Sequence, residues 1–120
     1  MTTSRRLTRI SALKGTTMKT KIRVLVTCAG GGVGQSAIDG LRGHKDSYFI
    51  LASDQQRFSY SIPDCDGFVD LPRIADPDYV KTVQQVCARY QIDVLIPGHD
   101  QELELFAQDS DGFAQVGSRV

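Results

Sequence analysis

A chain of 120 residues, 41% of them hydrophobic, has the material for one domain with one core, and little for the two-domain cleft of a complete bisubstrate enzyme. No apolar run approaches the ~20 residues of a membrane-spanning helix, so no membrane partner is expected. The net charge of zero hides an asymmetry: residues 1–23 carry seven Lys or Arg and no acid, whereas 24–120 carry seven basic and fourteen acidic residues, a balance of −7 that argues against nucleic-acid binding by the folded part.

Residues 1–20 read as a flexible basic tail, rich in Ser, Thr, Arg and Lys and without a sustained apolar period. Three origins stay open for it: a disordered extension, a start placed upstream of Met18, and a targeting peptide, whose acid-free composition it shares. From Lys21 the character changes, and 21–120 reads as the folded domain. Residues 22–27 are β-branched and almost continuously apolar, as in a parallel strand buried on both faces. Cys28-Ala29-Gly30-Gly31-Gly32-Val33-Gly34 then turns the chain into a helix over 35–41, with Val33, Ala37, Ile38 and Leu41 on one side and Gly43 as C-cap. Residues 48–53 form a second buried strand ending at Asp54; 55–65 is polar and irregular, with Pro63 as a breaker.

A short third strand spans 67–71 and is closed by Pro72. Asp76-Pro77 marks a helix start, Asp as N-cap and Pro at the first helical position, and the helix runs to about Tyr90. Its buried stripe is Tyr79, Val80, Val83, Val86, Cys87 and Tyr90. A fourth strand covers 93–97, and Gly98-His99-Asp100 leads into a helix over 101–108 with Leu103, Leu105 and Phe106 inward. Residues 113–120 read as the start of a fifth strand.

Buried strands alternating with amphipathic helices give an α/β fold: a three-layer, Rossmann-like parallel sheet with right-handed crossovers. Ligands of such sheets bind outside the carboxyl ends of the strands. The candidate binding residues are therefore Gly30, Gly31, Gly32, Val33, Gly34 and Asp54, with His99 and Asp100 as substrate-facing candidates. Glycine permits positive φ and close approach of another group, and the following helix aims free N–H groups and a positive dipole end at that space. Asp54 lies 22 residues after Gly32, where dinucleotide-binding domains place a ribose-binding acid.

The G-x-G-x-x-G match is imperfect. One frame places Gln35 where the third glycine belongs, and the other places Ala29 where the first belongs. The looser pattern of short-chain dehydrogenases finds Cys28 in place of its first glycine, and no Tyr is followed four residues later by Lys. A tight turn without ligand is the competing reading. Asp100 competes likewise as a helix cap, and Glu102 and Glu104 read as a solvated helix face. No nucleophile–base constellation and no metal-ligand spacing is visible, so no catalytic or metal-binding residue is assigned. Cys28, Cys65 and Cys87 form no C-x-x-C pair; an odd count reads as reduced thiols of a cytoplasmic protein, each a small buried hydrophobe.

Several segments together resemble the N-terminal, pre-ATP-grasp domain of ATP-grasp enzymes. They are Lys21-Ile22-Arg23-Val24-Leu25-Val26-Thr27, the turn from Ala29 to Ser36, Ala52-Ser53-Asp54, Asp76-Pro77-Asp78-Tyr79-Val80 and the stretch from Ile92 to Leu103 with its Pro97-Gly98-His99-Asp100-Gln101-Glu102 core. The nearest relatives implied are carbamoyl-phosphate-synthase large-subunit-like proteins and related carboxylate–amine ligases, over about residues 21–118. The resemblance implies a leading domain that walls the acceptor-substrate side and is not catalytic alone. It implies that ATP and magnesium belong to a downstream ATP-grasp module, the expected partner, together with a small-molecule substrate. Apolar surface left by a missing neighbour would be a route to a homodimer. Two alternatives stand beside this: an NAD(P)-binding domain of an oxidoreductase, and a free-standing domain that binds a small anion.

Overall fold

The computed structural model describes residues 21–54 and 65–120; the basic tail 1–20 and the irregular stretch with Pro63 lie outside the described residues. Four strands, β1 (Ile22–Val26), β2 (Tyr48–Ser53), β3 (Gly67–Val69) and β4 (Val94–Ile96), alternate with α1 (Gly32–Arg42), α2 (Tyr79–Arg89), α3 (Asp100–Gln108) and α4 (Ser110–Gln115). The strands form one all-parallel sheet in the order β3-β2-β1-β4. The expected α/β, Rossmann-like architecture is the one observed.

The register explains the burial. Val24 lies opposite Ile50 and Val94, and Leu25 opposite Leu51 and Leu95. Alternate side chains of a strand point to opposite faces, so two apolar faces result. Leu25, Leu51, Val69 and Leu95 pack on one face with Tyr79, Val83, Cys87, Phe106 and Phe113 from α2, α3 and α4. Val24, Val26, Ile50 and Ala52 pack on the other with Ile38 of α1. Helices on both sides of the sheet make three layers.

Some boundaries differ from the sequence expectation, for local reasons. β3 stops at Val69 rather than 71 because it pairs with β2 alone, and β2 runs out at Ser53, opposite Val69. α1 begins at Gly32, three residues early, which leaves Val33 in its first turn and 59% exposed rather than on the packed side. Asp76 does not cap α2. Its Oδ1 accepts the Asp78 N–H at 2.8 Å and its carbonyl accepts the Tyr79 N–H at 3.0 Å, so it caps the turn that precedes the helix.

The stretch from Phe113 is not a strand at its start. Phe113 belongs to α4, where its ring meets Phe106 edge-on at 5.1 Å. Gly117 closes that helix with φ 84°; its N–H bonds the Ala114 carbonyl and the Ser118 N–H bonds that of Phe113, a Schellman pair. Strand-like pairing appears only afterwards, at Arg119, which bridges Val94 in parallel and accepts the Leu95 N–H at 2.7 Å. Among the described residues no helix is long and apolar enough to cross a membrane.

Candidate functional site

β1 ends between the ends of β2 and β4, and hydrogen bonds to both fix the departing chain. The Thr27 N–H bonds the Ile96 carbonyl at 3.1 Å, and the Ala29 N–H bonds that of Ser53 at 2.9 Å. Between them Cys28 is forced to φ 49°, left-handed backbone that a non-glycine residue adopts at a cost of about 1–2 kcal/mol. The glycines of the turn do not serve that purpose, since Gly117 is the only described glycine with positive φ. They serve close approach. A Cβ on Gly34 would stand 2.5 Å from the Cys28 carbonyl oxygen and 2.8 Å from the Ala29 Cα, and one on Gly98 would overlap the Thr27 carbonyl oxygen. One on Gly31 would stand 3.4 Å from the Cys28 oxygen and 3.7 Å from that of Gly98. Gly31 and Gly98 thus come together where the sheet order reverses, between β1 and β4, the place where open parallel sheets receive ligands.

This geometry selects between the two glycine frames. Gly34 is the residue that lets the helix pack on the strand end, so the frame is Ala29-x-Gly31-x-x-Gly34. Gln35, which fills the third place of the other frame, donates from Nε2 to the Gly30 carbonyl at 2.9 Å and closes the turn. Gly31, Gly32 and Val33 are exposed at the start of α1, where the N-cap Gly31 makes no side-chain bond to the first N–H groups. Gly30 is half-buried and Gly34 buried. Asp54, half-buried at the end of β2, lines a narrow recess with Cys28, Ser53, Leu71 and Tyr79.

His99 and Asp100 are exposed at the start of α3. The cap is His99, not Asp100: its Nδ1 accepts the Gln101 N–H at 3.0 Å. Asp100 is instead the first helical residue, where a carboxylate suits the helix dipole. A ring that accepts at Nδ1 carries its proton on Nε2, so His99 offers an N–H outward. Substituting His99→Ala is expected to cost about 1 kcal/mol through the lost cap, and His99→Asn to recover most of it. Urea unfolding of both variants checks this, and an equal loss in both would refute the capping role.

Two residues of α3 overturn their sequence reading. Glu102 was expected on a solvated helix face and is fully buried, at 0% exposure. Leu103, expected inward, is 53% exposed. α3 enters the fold rotated so that Glu102 and Phe106, one turn apart, face the sheet. The Glu102 carboxylate accepts from the Thr27 hydroxyl at 2.8 Å through Oε1 and from the Tyr79 hydroxyl through Oε2. Burial first, then Glu102 and more weakly Asp54, push the Cys28 thiol up to about 12, so it stays protonated and is no ready nucleophile. Burial and Glu102 likewise raise the Tyr79 hydroxyl. The signal that could have found Glu102 was its spacing of four from Phe106. Its position one face from the exposed Asp100 and Glu104 obscured it. Among the described residues no three His, Cys, Asp or Glu side chains are grouped to hold a metal ion.

Residues 24–120 match the family of PylC-like N-terminal domains. The chain belongs to that family. Its members are pre-ATP-grasp domains of ATP-grasp enzymes, PylC itself being a ligase, which agrees with the resemblance drawn from the segments above. A search of curated proteins finds no significant match. Among solved structures, an acetoin dehydrogenase from Enterobacter cloacae is similar at 18% identity and a TM-score of 0.52, covering 82% of this chain and 48% of that one. A hydroxysteroid dehydrogenase from Escherichia coli is similar at 11% identity and a TM-score of 0.49, over 84% and 51%. The chain thus spans about half the length of each. At such identity the first likeness shows a shared Rossmann-like fold and nothing of the dehydrogenases' chemistry, while the PylC-like N-terminal domain match accounts for nearly all of the described chain.

Proposed function

We propose that this chain is the leading, acceptor-side domain of an ATP-grasp carboxylate–amine ligase, within the broad carbamoyl-phosphate-synthase-like group, and that it has no catalytic activity alone. The family match over residues 24–120 carries the reading. The site adds a physical reason. In a parallel sheet the loops after the strands and the first turns of the helices share one face. Among the described residues that face holds the acids Asp54, Asp70, Asp76, Asp78 and Asp100 against the bases Arg73 and Lys81. Such a surface repels a triphosphate and favours an amine-bearing acceptor. In this reading magnesium and ATP belong to the downstream module.

The same charge balance disfavours the NAD(P) alternative, although Asp54 does stand at the end of β2 as that reading requires. The purified chain is expected to release no phosphate from magnesium–ATP, with or without candidate amines. The same domain joined to its native downstream module is expected to form ADP when carboxylate and amine are both supplied. Magnesium-dependent turnover by the 120 residues alone would overturn the proposal.

A further inference from the structure

The carboxylate of Glu102 stands where three segments distant in sequence meet. Thr27 and Cys28 come from the end of β1, Tyr79 from the first residue of α2, and Glu102 itself from the first turn of α3. Every donor in that junction is a neutral side chain, and the carboxylate is sealed from solvent. The Cys28 backbone, held in left-handed conformation without the help of glycine, is the part of the junction least able to keep its shape unaided. Its carbonyl oxygen is also the surface against which Gly31, Gly34 and Gly98 close in.

We infer that Glu102 is the positioning residue of the strand-end face: by gathering the Thr27 hydroxyl and the Tyr79 hydroxyl on one buried carboxylate, it sets the shape of the Cys28 turn on which the glycines pack. The assignment goes beyond the ligase reading and does not depend on it, because it concerns this chain's own hydrogen bonds. Glu102 acts through Cys28 and the turn, with no contact to any reacting group required of it. The charged or titratable groups that face the Cys28 thiol are Glu102 from α3, Asp54 from the end of β2 and Tyr79 from α2.

The Cys28 thiol reports on this directly. Alkylation proceeds through the thiolate, so its rate against pH follows the thiol's acidity. In the unaltered chain, iodoacetamide labelling of Cys28, located by peptide mass, is expected to be negligible at pH 9. Glu102→Gln keeps the size of the side chain and removes the negative charge; Cys28 labelling at pH 9 is expected to rise at least tenfold. Tyr79→Phe does the reverse. It takes one donor from the carboxylate, which leaves more of its negative charge to disfavour the nearby thiolate, so labelling is expected to slow further at every pH up to 11.

Opposite signs are the diagnostic result. A residue that merely filled space would, on substitution, loosen the junction and speed labelling in both variants. Equal acceleration in Glu102→Gln and Tyr79→Phe therefore overturns the inference, as does an unchanged rate in a folded Glu102→Gln. Should Glu102→Gln fail to fold, Tyr79→Phe decides alone: slower labelling supports the inference and faster labelling refutes it.

Discussion

Gly98→Ala is expected to destabilise the domain by about 3 kcal/mol, at the upper end of what overpacking costs and enough to move the thermal midpoint by roughly 12 °C or more. The new methyl would overlap the Thr27 carbonyl oxygen and stand 2.9 Å from that of Cys28. Both are backbone atoms, and neither can yield. Thr27 is tied to β4 by its N–H and to Glu102 by its hydroxyl, and Cys28 already occupies an unfavourable region of φ. Gly34→Ala meets the same Cys28 oxygen at 2.5 Å and is expected to behave alike. Gly32 is the control from the same glycine run. A Cβ there meets nothing within 4 Å, and the residue is helical, so Gly32→Ala is expected to stabilise by up to about 1 kcal/mol. Urea unfolding followed by circular dichroism compares the three. Equal midpoints for Gly98→Ala and Gly32→Ala would mean that the close approach at the strand ends does not exist.

That contrast shows where the sequence was legible. The run of glycines marked the turn correctly, because only a strand-to-helix connection of a parallel sheet concentrates them so. It could not say which glycine does which task, since close approach is a property of two segments at once. Gly34 is needed because of Cys28, six residues back, and Gly98 because of Thr27, just past a strand that is adjacent only after folding. The strands were readable from β-branched runs because both faces of the sheet are covered and most positions are apolar. Their ends were not, because pairing is decided by the neighbour: β3 is short because β2 ends. The positions at the strand ends were legible where they are local, at the turn, Asp54 and His99. The junction was hidden at Glu102, where a carboxylate beside Asp100 and Glu104 has the look of a wet helix face. The donors that permit its burial come from β1 and α2, and a buried carboxylate is tolerable only once such partners are assembled.

Phe106→Ala carries the other large effect and tests whether core and site are one structure. Phe106 is fully buried, with the Tyr79 ring stacked at 6.2 Å and the Phe113 ring edge-on at 5.1 Å. Removing it deletes the aromatic contact between α2, α3 and α4 and opens a cavity beneath the sheet, at about 3–5 kcal/mol. A domain of this size commonly holds about 5–15 kcal/mol in all, so the variant is expected near its folding threshold at 25 °C, with a urea midpoint lowered by more than that of any other substitution named above. Leu103→Ala, three residues away but exposed, is expected to change stability by less than about 0.5 kcal/mol. The coupling lies in Tyr79, whose ring packs on Phe106 while its hydroxyl serves Glu102. If that ring is held by Phe106, Phe106→Leu, which keeps much of the volume, should stay folded yet change the rate of Cys28 labelling. Unchanged labelling in folded Phe106→Leu would instead mean that the Glu102 hydrogen bonds alone hold Tyr79, and that the polar junction is set independently of the aromatic core below it.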